Sequence, residues 1–316
     1  MKYSSSLMLG AMALALMMVA GQGDAQEQAA PAAPRAQAPQ GLTTHVIKEG
    51  KVYWVEGGGG NSGVIIGDKG VVVIDAKTTP EAGAQLVAEV AKLTPKPITH
   101  VILTHSDGDH VNGLAGFPDG LKIIAHENNK MEQMAVYQFA AVEIGGGKCI
   151  PPANRLPNLI IFKDTVSTTI DGERFVIHHF GPAHTSGDLV IEMPAYKIAF
   201  VGDLITNSVL IHPEKNGTFE GWFKNAQGLL GLNVDSYLGG HARDLDTKDS
   251  LRKIVAGNEA VRAKADPLVD AGKSLAEVKT AMGDPAKDAA GCRGIPYLSL
   301  PNIEFNERTD RNNELK

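Results

Sequence analysis

Four times along this chain an apolar run ends on a side chain able to bind a metal ion. Ile98–Leu103 runs into Thr104-His105-Ser106-Asp107-Gly108-Asp109-His110. Phe175–Ile177 leads through Gly181 to His184, Ile198–Gly202 leads to Asp203, and Tyr237–Gly240 leads to His241. Any fold for such a sequence must bring several strand ends to one place, because strand-end loops of α/β folds are where ligands bind. Two imidazoles and two carboxylates within His105–His110 offer the mixed nitrogen and oxygen donors that hold zinc, iron or manganese. A solvated acidic turn with incidental histidines would explain that run alone. It does not explain three further runs that close on a donor.

Taken together, these segments resemble the metallo-β-lactamase superfamily. Its signature is His-x-His-x-Asp-His, then a His before Thr, an Asp after Gly, and a final His in a glycine-flanked turn. Here the corresponding residues are His105-Ser106-Asp107-Gly108-Asp109-His110, Ala183-His184-Thr185, Gly202-Asp203 and Gly239-Gly240-His241-Ala242, in the same order. The resemblance extends from about Val46 to the region near Val261. It includes Val72-Val73-Ile74-Asp75, similar to the family's early buried strand, whose Asp supports the metal loop from behind. It implies a four-layer αββα sandwich in the α/β class.

By that resemblance His105, Asp107 and His184 hold a first metal ion, Asp109, His110 and His241 a second, and Asp203 bridges them. The implied cofactors are two divalent ions, with zinc favoured. The implied reaction is hydrolysis of a small ester, lactone, thioester or β-lactam by a metal-bound hydroxide, with Asp109 also orienting the nucleophile or passing a proton to the leaving group. One position departs from the family's commonest pattern. Asp107 stands where most members have His, and a carboxylate is a harder donor than imidazole, which opens the first position to iron or manganese. An iron-dependent redox enzyme of the same fold, as in the flavodiiron branch, is therefore one alternative, and a β-lactamase proper is another. The redox reading is the weaker, because no flavin domain follows the metal-binding region in this sequence. A metal-binding protein without catalysis is disfavoured, since all seven donor positions are chemically competent.

The net charge of −6 is unchanged when residues 1–25 are removed, since these carry only Lys2 and Asp24. An acidic chain lacking a basic run argues against a nucleic-acid substrate and for a small molecule. Residues 1–25 read as a signal peptide: Lys2 supplies the positive end, Leu7–Ala20 the apolar stretch, and Gly23-Asp24-Ala25 the cleavage site. That apolar stretch is short for a membrane span, so no stable anchor is expected and the protein is placed in the periplasm or outside the cell. Residues 26–41, rich in Ala, Pro and Gln, read as a disordered lead-in to a domain over 42–316 with a C-terminal extension. Cys149 and Cys292 occupy no donor position, and whether they pair is open, as is the oligomeric state.

Apolar and β-branched runs predict strands at Thr43–Lys48, Val52–Glu56, Gly63–Ile66, Val71–Asp75 and Ile98–Leu103. A second group falls at Leu159–Phe162, Thr168–Ile170, Phe175–His179, Leu189–Glu192 and Lys197–Val201. Thr78 with Glu81 makes a capping-box pattern ahead of a helix whose Leu86, Val87, Val90 and Leu93 share a face. Further helices are predicted at Phe219–Leu230 and Asp249–Ala265. Gly57–Asn61 reads as a flexible hairpin bordering the substrate, and Lys130–Asn158 as a lid or pocket wall, with Met131, Met134, Tyr137 and Phe139 packing locally. Trp222 reads as core. His45, His100, His126 and His212 fit no donor pattern, and the adjacent His178 and His179 point to opposite faces of a strand.

Overall fold

The computed structural model describes residues 41–143, 155–206 and 209–282, and within them all side chains but those of 136–143, 275, 276 and 279. The signal-peptide stretch, almost all of the lead-in, Gly145–Gly147, both cysteines and the end of the C-terminal extension lie outside the described residues.

Seven strands form one sheet in the order of the chain: β1 (Thr43–Lys48), β2 (Val52–Glu56), β3 (Ser62–Ile66), β4 (Val71–Ile74), β5 (Ile98–Ile102), β6 (Lys122–His126) and β7 (Leu159–Ile161). β1 to β4 are antiparallel neighbours, whereas β4 to β7 run parallel, with α1 (Pro80–Leu93) crossing from β4 to β5. Two short pieces follow β5: α2 (Gly108–Val111) and a 3₁₀ segment at Asn112–Gly116. α3 (Glu127–Glu143) follows β6. The second sheet has the order β12-β11-β10-β9-β8, from β8 (Thr165–Ile170), β9 (Glu173–His178), β10 (Val190–Met193), β11 (Ile198–Gly202) and β12 (Ser236–Gly239). α4 (Phe219–Gly231) joins β11 to β12, which run parallel, and α5 (Lys248–Asp270) and α6 (Leu275–Met282) close the described chain.

Alternation along the strands divides the apolar side chains among three cores, and three cores make four layers. Val64, Val71, Val73 and Val101 face α1 and meet Leu86 and Val90. Trp54, Ile65, Val72, Ile74 and Ile102 face the other way, against Phe175, Ile177, Ile191 and Phe200 of the second sheet. Behind that sheet Val190, Ala199, Val201 and Tyr237 pack on Trp222, Phe223 and Leu251 of α4 and α5. The chain is thus an αββα sandwich. Trp222, 1% exposed, is core as expected, and its indole Nε1 donates to Leu204 O at 3.0 Å.

Several local expectations need correction. Thr79, not Thr78, caps α1, its side chain accepting from Ala82 N. The cap must directly precede Pro80, the first helical residue, whose missing N–H costs nothing there. β6 and β12 add two strands, each of five residues or fewer. Met131 on α3 is exposed instead of packed. The Gly57–Asn61 hairpin is tied down: Gly60 N donates to Asp109 O, Asn61 N to Gly240 O, and the buried Lys77 Nζ to Val55 O and Gly60 O. Among the described residues no helix is long and apolar enough to cross a membrane.

Candidate metal centre

The parallel pairings set the site. β4 ends beside β5, with Ile74 opposite Ile102, so Asp75 lies against the start of the ligand loop. Asp75 Oδ1 accepts from Thr104 N at 2.8 Å, and its Oδ2 accepts from Thr104 Oγ1 at 2.7 Å and pairs with His110 Nδ1 at 2.8 Å. This buried carboxylate fixes the loop from behind, the role implied by the sequence resemblance. Asp107 precedes α2 but makes no side-chain cap, which leaves its carboxylate free to turn inward. On the second sheet Gly202 lies opposite Gly239, so Asp203 and His241 leave adjacent strand ends together. A Cβ on Gly240 would lie 2.0 Å from Asp203 Oδ1, and one on Gly60 would lie 2.2 Å from His110 Cε1. Both positions require glycine because backbone forms the wall of the site there.

All seven side chains singled out in the sequence converge. His105 Nε2 lies 3.8 Å and His184 Nε2 3.1 Å from Asp107 Oδ2, and both lie within 4.0 Å of Asp203 Oδ2. His110 Nε2 is 3.6 Å and His241 Nε2 3.2 Å from Asp109 Oδ2, and these nitrogens are 3.4 and 3.2 Å from the two oxygens of Asp203. Two clusters of donors result, His105–Asp107–His184–Asp203 and Asp109–His110–His241, with Asp203 touching both. His105, His110, His184 and Asp203 are buried, while His241 and Asp109 stand at the solvent side with side-chain exposures of 42% and 32%.

Hydrogen bonding chooses which nitrogen faces the site. His105 Nδ1 meets Thr104 Oγ1 at 2.9 Å, His110 Nδ1 meets Asp75, and His184 Nδ1 meets the Leu210 carbonyl at 2.8 Å. Each Nδ1 thereby carries the proton in the neutral ring, leaving an Nε2 lone pair directed inward. Threonine 104 can accept from His105 because its own hydroxyl proton goes to Asp75. Three inward atoms, His105 Nε2, His110 Nε2 and Asp203 Oδ1, are buried without a hydrogen-bond partner among the described residues. Burial of polar atoms in that condition costs about 1–3 kcal/mol each. Cations at the two clusters would satisfy all three, so the donor set fits divalent metal ions.

Electrostatics point the same way. Burial pushes His110 down, but the Asp203 and Asp75 carboxylates outweigh it and hold the imidazole well above its ordinary range. Burial likewise opposes His184, yet its hydrogen bond with Asp107 and the charge of Asp203 raise it to about 9. Hydrogen bonds with Asp109 and Asp203 lift His241 to about 10. Burial also works against ionisation of Asp203, which the charge of His110 and the contact with His241 keep well below the usual carboxylate range. His105, pushed down by burial and by the charges of His110 and His184, stays neutral. In metal-free protein the carboxylates thus gather protons on their neighbours, and divalent cations would supply that positive charge instead.

Two residues given no part in the site by sequence pattern make contact with Asp107. His212, set aside as lacking donor partners, places Nε2 3.1 Å from Asp107 Oδ2, with its ring 4.9 Å from that of His184. Lys215 Nζ binds the other oxygen, Asp107 Oδ1. His212 directly precedes, and Lys215 ends, a 3₁₀ turn at Pro213–Lys215, anchored by His212 N donating to His184 O. No motif spacing links them to Asp107. The only sequence signal is chemical: an extra carboxylate at 107 calls for positive or donor partners elsewhere. The other histidines remain apart: His178 pairs with Glu192 at 2.9 Å, and His179 stacks on His126 at 3.9 Å.

A model of the metallo-beta-lactamase superfamily matches residues 55–284. The 2,4-dinitroanisole O-demethylase subunit alpha of Nocardioides sp. (strain JS1661) is 27% identical over 202 residues, covering 63% of this chain and 57% of that protein. The alkyl/aryl-sulfatase BDS1 of Saccharomyces cerevisiae is 26% identical over 180 residues, 46% of this chain and 28% of its own length. The chain therefore spans less than two thirds of these relatives. Among solved structures, the inverting sec-alkylsulfatase Pisa1 from Pseudomonas sp. superposes with a TM-score of 0.60 at 20% identity, covering 84% of this chain and 49% of that one. The metallo-beta-lactamase FIM-1 from Pseudomonas aeruginosa, in a mono-zinc form, does so with 0.54 at 18% identity, covering 68% and 93%. At such identities these likenesses establish the fold.

Proposed function

The chain belongs to the metallo-β-lactamase superfamily, and from that premise we propose that it is a dinuclear metal-dependent hydrolase of small molecules. His105, Asp107 and His184 would hold one ion, Asp109, His110 and His241 the other, and Asp203 both. Zinc is the favoured metal, with iron or manganese as alternatives at the first position, where Asp107 hardens the donor set. The observation that carries this reading is the set of inward Nε2 atoms, each fixed by a bonded Nδ1, two of them buried and otherwise unpartnered.

Paired divalent ions supply Lewis acidity and lower the pKa of water. What the chain itself does is hold charge and protons in place. Asp75 and Thr104 keep the ligand loop rigid, and Asp203 spans the two clusters from the buried side. Asp109, at the solvent side and 3.2 Å from His241 Nε2, would orient the nucleophile or relay a proton from it to a leaving group. Lys215 keeps Asp107 Oδ1 occupied, so that only Oδ2 faces the cluster. The substrate is an ester, lactone, thioester or lactam; the relatives' names add sulfate esters and aryl ethers to the range worth assaying. The N-terminal pattern supports export to the periplasm or beyond.

Metal analysis of protein purified without added metal, followed by a panel of lactone, thioester, lactam, sulfate-ester and aryl-ether substrates, tests the proposal. Asp203→Ala should reduce bound metal towards one ion and remove most hydrolysis, because the Asp203 carboxylate lies within 4.0 Å of histidine nitrogens in both clusters. Full activity with a single bound ion would overturn the dinuclear reading.

A further inference from the structure

We infer that His212 is a further ligand of the first metal ion, supplying the imidazole that Asp107 displaces from the family's usual motif. The inference rests on the dinuclear reading above and goes beyond it by adding a residue outside the seven positions of the signature.

Three observations carry it. First, two neighbouring donors on one five-coordinate ion with bonds of about 2.1 Å lie roughly 3.0–3.6 Å apart. His212 Nε2 is 3.1 Å from Asp107 Oδ2, the same distance that separates His184 Nε2 from that oxygen. Three imidazoles, His105, His184 and His212, thus surround one carboxylate oxygen. Second, His212 repeats the arrangement of the other inward histidines: its Nδ1 is held by Glu214 Oε1 at 2.6 Å while Nε2 faces the cluster. A metal-bound histidine donates its second ring nitrogen to an acceptor of this kind. Third, the turn carrying His212 is built onto the His184 loop. His212 N donates to His184 O at 2.8 Å, and Ser186 N donates to Lys215 O at 2.9 Å. The ring is therefore carried by a turn bonded to the loop of a proposed ligand, with Nε2 directed at Asp107.

Charge gives the arrangement its reason. A carboxylate at 107 adds negative charge beside Asp203 where the usual motif carries a neutral ring. Lys215 offsets part of that charge through Asp107 Oδ1, and a neutral His212 returns a nitrogen donor. The first position would then keep the nitrogen-rich character that suits zinc.

Cobalt-substituted protein distinguishes a ligand from a mere neighbour. In proton NMR spectra recorded in water, each cobalt-bound imidazole contributes one strongly shifted, exchangeable ring N–H signal. Wild-type protein saturated with cobalt should show signals for His105, His110, His184, His212 and His241. His212→Ala, saturated at higher cobalt concentration, should show one fewer, and competition with a zinc chelator should show weaker binding of one ion. Glu214→Gln should retain the signal at an altered position. Identical sets of signals in wild type and His212→Ala, with two ions bound in each, would overturn this inference and leave the dinuclear reading intact. Uptake of only one ion by wild-type protein, or none, would overturn both. Circular dichroism and thermal unfolding in the presence of chelator show whether the variant has folded.

Discussion

Gly60→Ala tests how closely the backbone wall fixes the centre. A Cβ at residue 60 would lie 2.2, 2.3 and 2.7 Å from three atoms of the His110 ring. Ordinary carbon contacts need about 3.5 Å, so the ring must retreat by more than ~1 Å or the Gly57–Asn61 hairpin must lift. Neither movement is free. The ring is held by Asp75 through Nδ1, has His105 4.2 Å away, and faces the backbone of Gly240. The hairpin is fastened by Gly60 N to Asp109 O, by Asn61 to Gly239 and Gly240, and by Lys77. Overpacking a fixed site of this kind costs about 1–3 kcal/mol. The displacement also exceeds the ~0.5 Å within which a functional side chain must be held. Metal-free Gly60→Ala should therefore lose about 1–3 kcal/mol in urea unfolding with chelator present. If the Asp109–His110–His241 cluster holds an ion as proposed, that ion should bind about 10–100-fold more weakly by isothermal titration, the penalty typical of a ligating histidine that has lost its support. Gly231→Ala at the end of α4, where an added Cβ meets nothing within 4 Å, is the control. Wild-type stability and metal binding in Gly60→Ala would refute the account of His110 as fixed from behind.

Two further outcomes follow. Burial lowers the Lys77 ammonium to about 7, so between that value and its ordinary range the unfolded chain binds the extra proton. Metal-free stability should rise with pH across this window, by at most ~1.4 kcal/mol per pH unit from this group, and be insensitive to this group below it. In urea titrations at several pH values, Lys77→Met should lose that slope, and an unchanged slope would assign it elsewhere. Asp107→His should raise zinc occupancy of the first position relative to iron and manganese when all three are supplied. Elemental analysis reads the result, and identical metal content would remove Asp107 from the ligand set.

The fold was legible wherever a strand carried its own punctuation. β1 and β2 begin and end where the sequence places them, because glycine and lysine turns bracket β-branched runs. β6 was not, since Lys122–His126 is a short run made a strand by parallel pairing to β5, a contact that no local pattern announces. The convergence of the seven donors was readable for a related reason: each lies in a segment that follows a strand, and strand ends in a sandwich meet at one edge. His212 escaped because it sits in a turn whose position depends on a backbone bond to His184, 28 residues earlier in the chain. The Gly57–Asn61 segment looked flexible by composition, yet its glycines serve close approach: Gly60 lets the backbone pass against the His110 ring.

Division of the donors between the two sheets has a mechanical consequence. His105–His110 hang from the first sheet, while His184, Asp203 and His241 hang from the second, so an ion at either cluster would act as a rivet through the seam. His184 and Asp107 are 77 residues apart, and a link closing a loop of that length removes much of the freedom open to the unfolded chain. Parting the two sheets would require breaking coordination bonds before any of the apolar side chains between them met water. Loaded protein should then resist shearing of the sandwich far longer than empty protein, even where their resting shapes are the same.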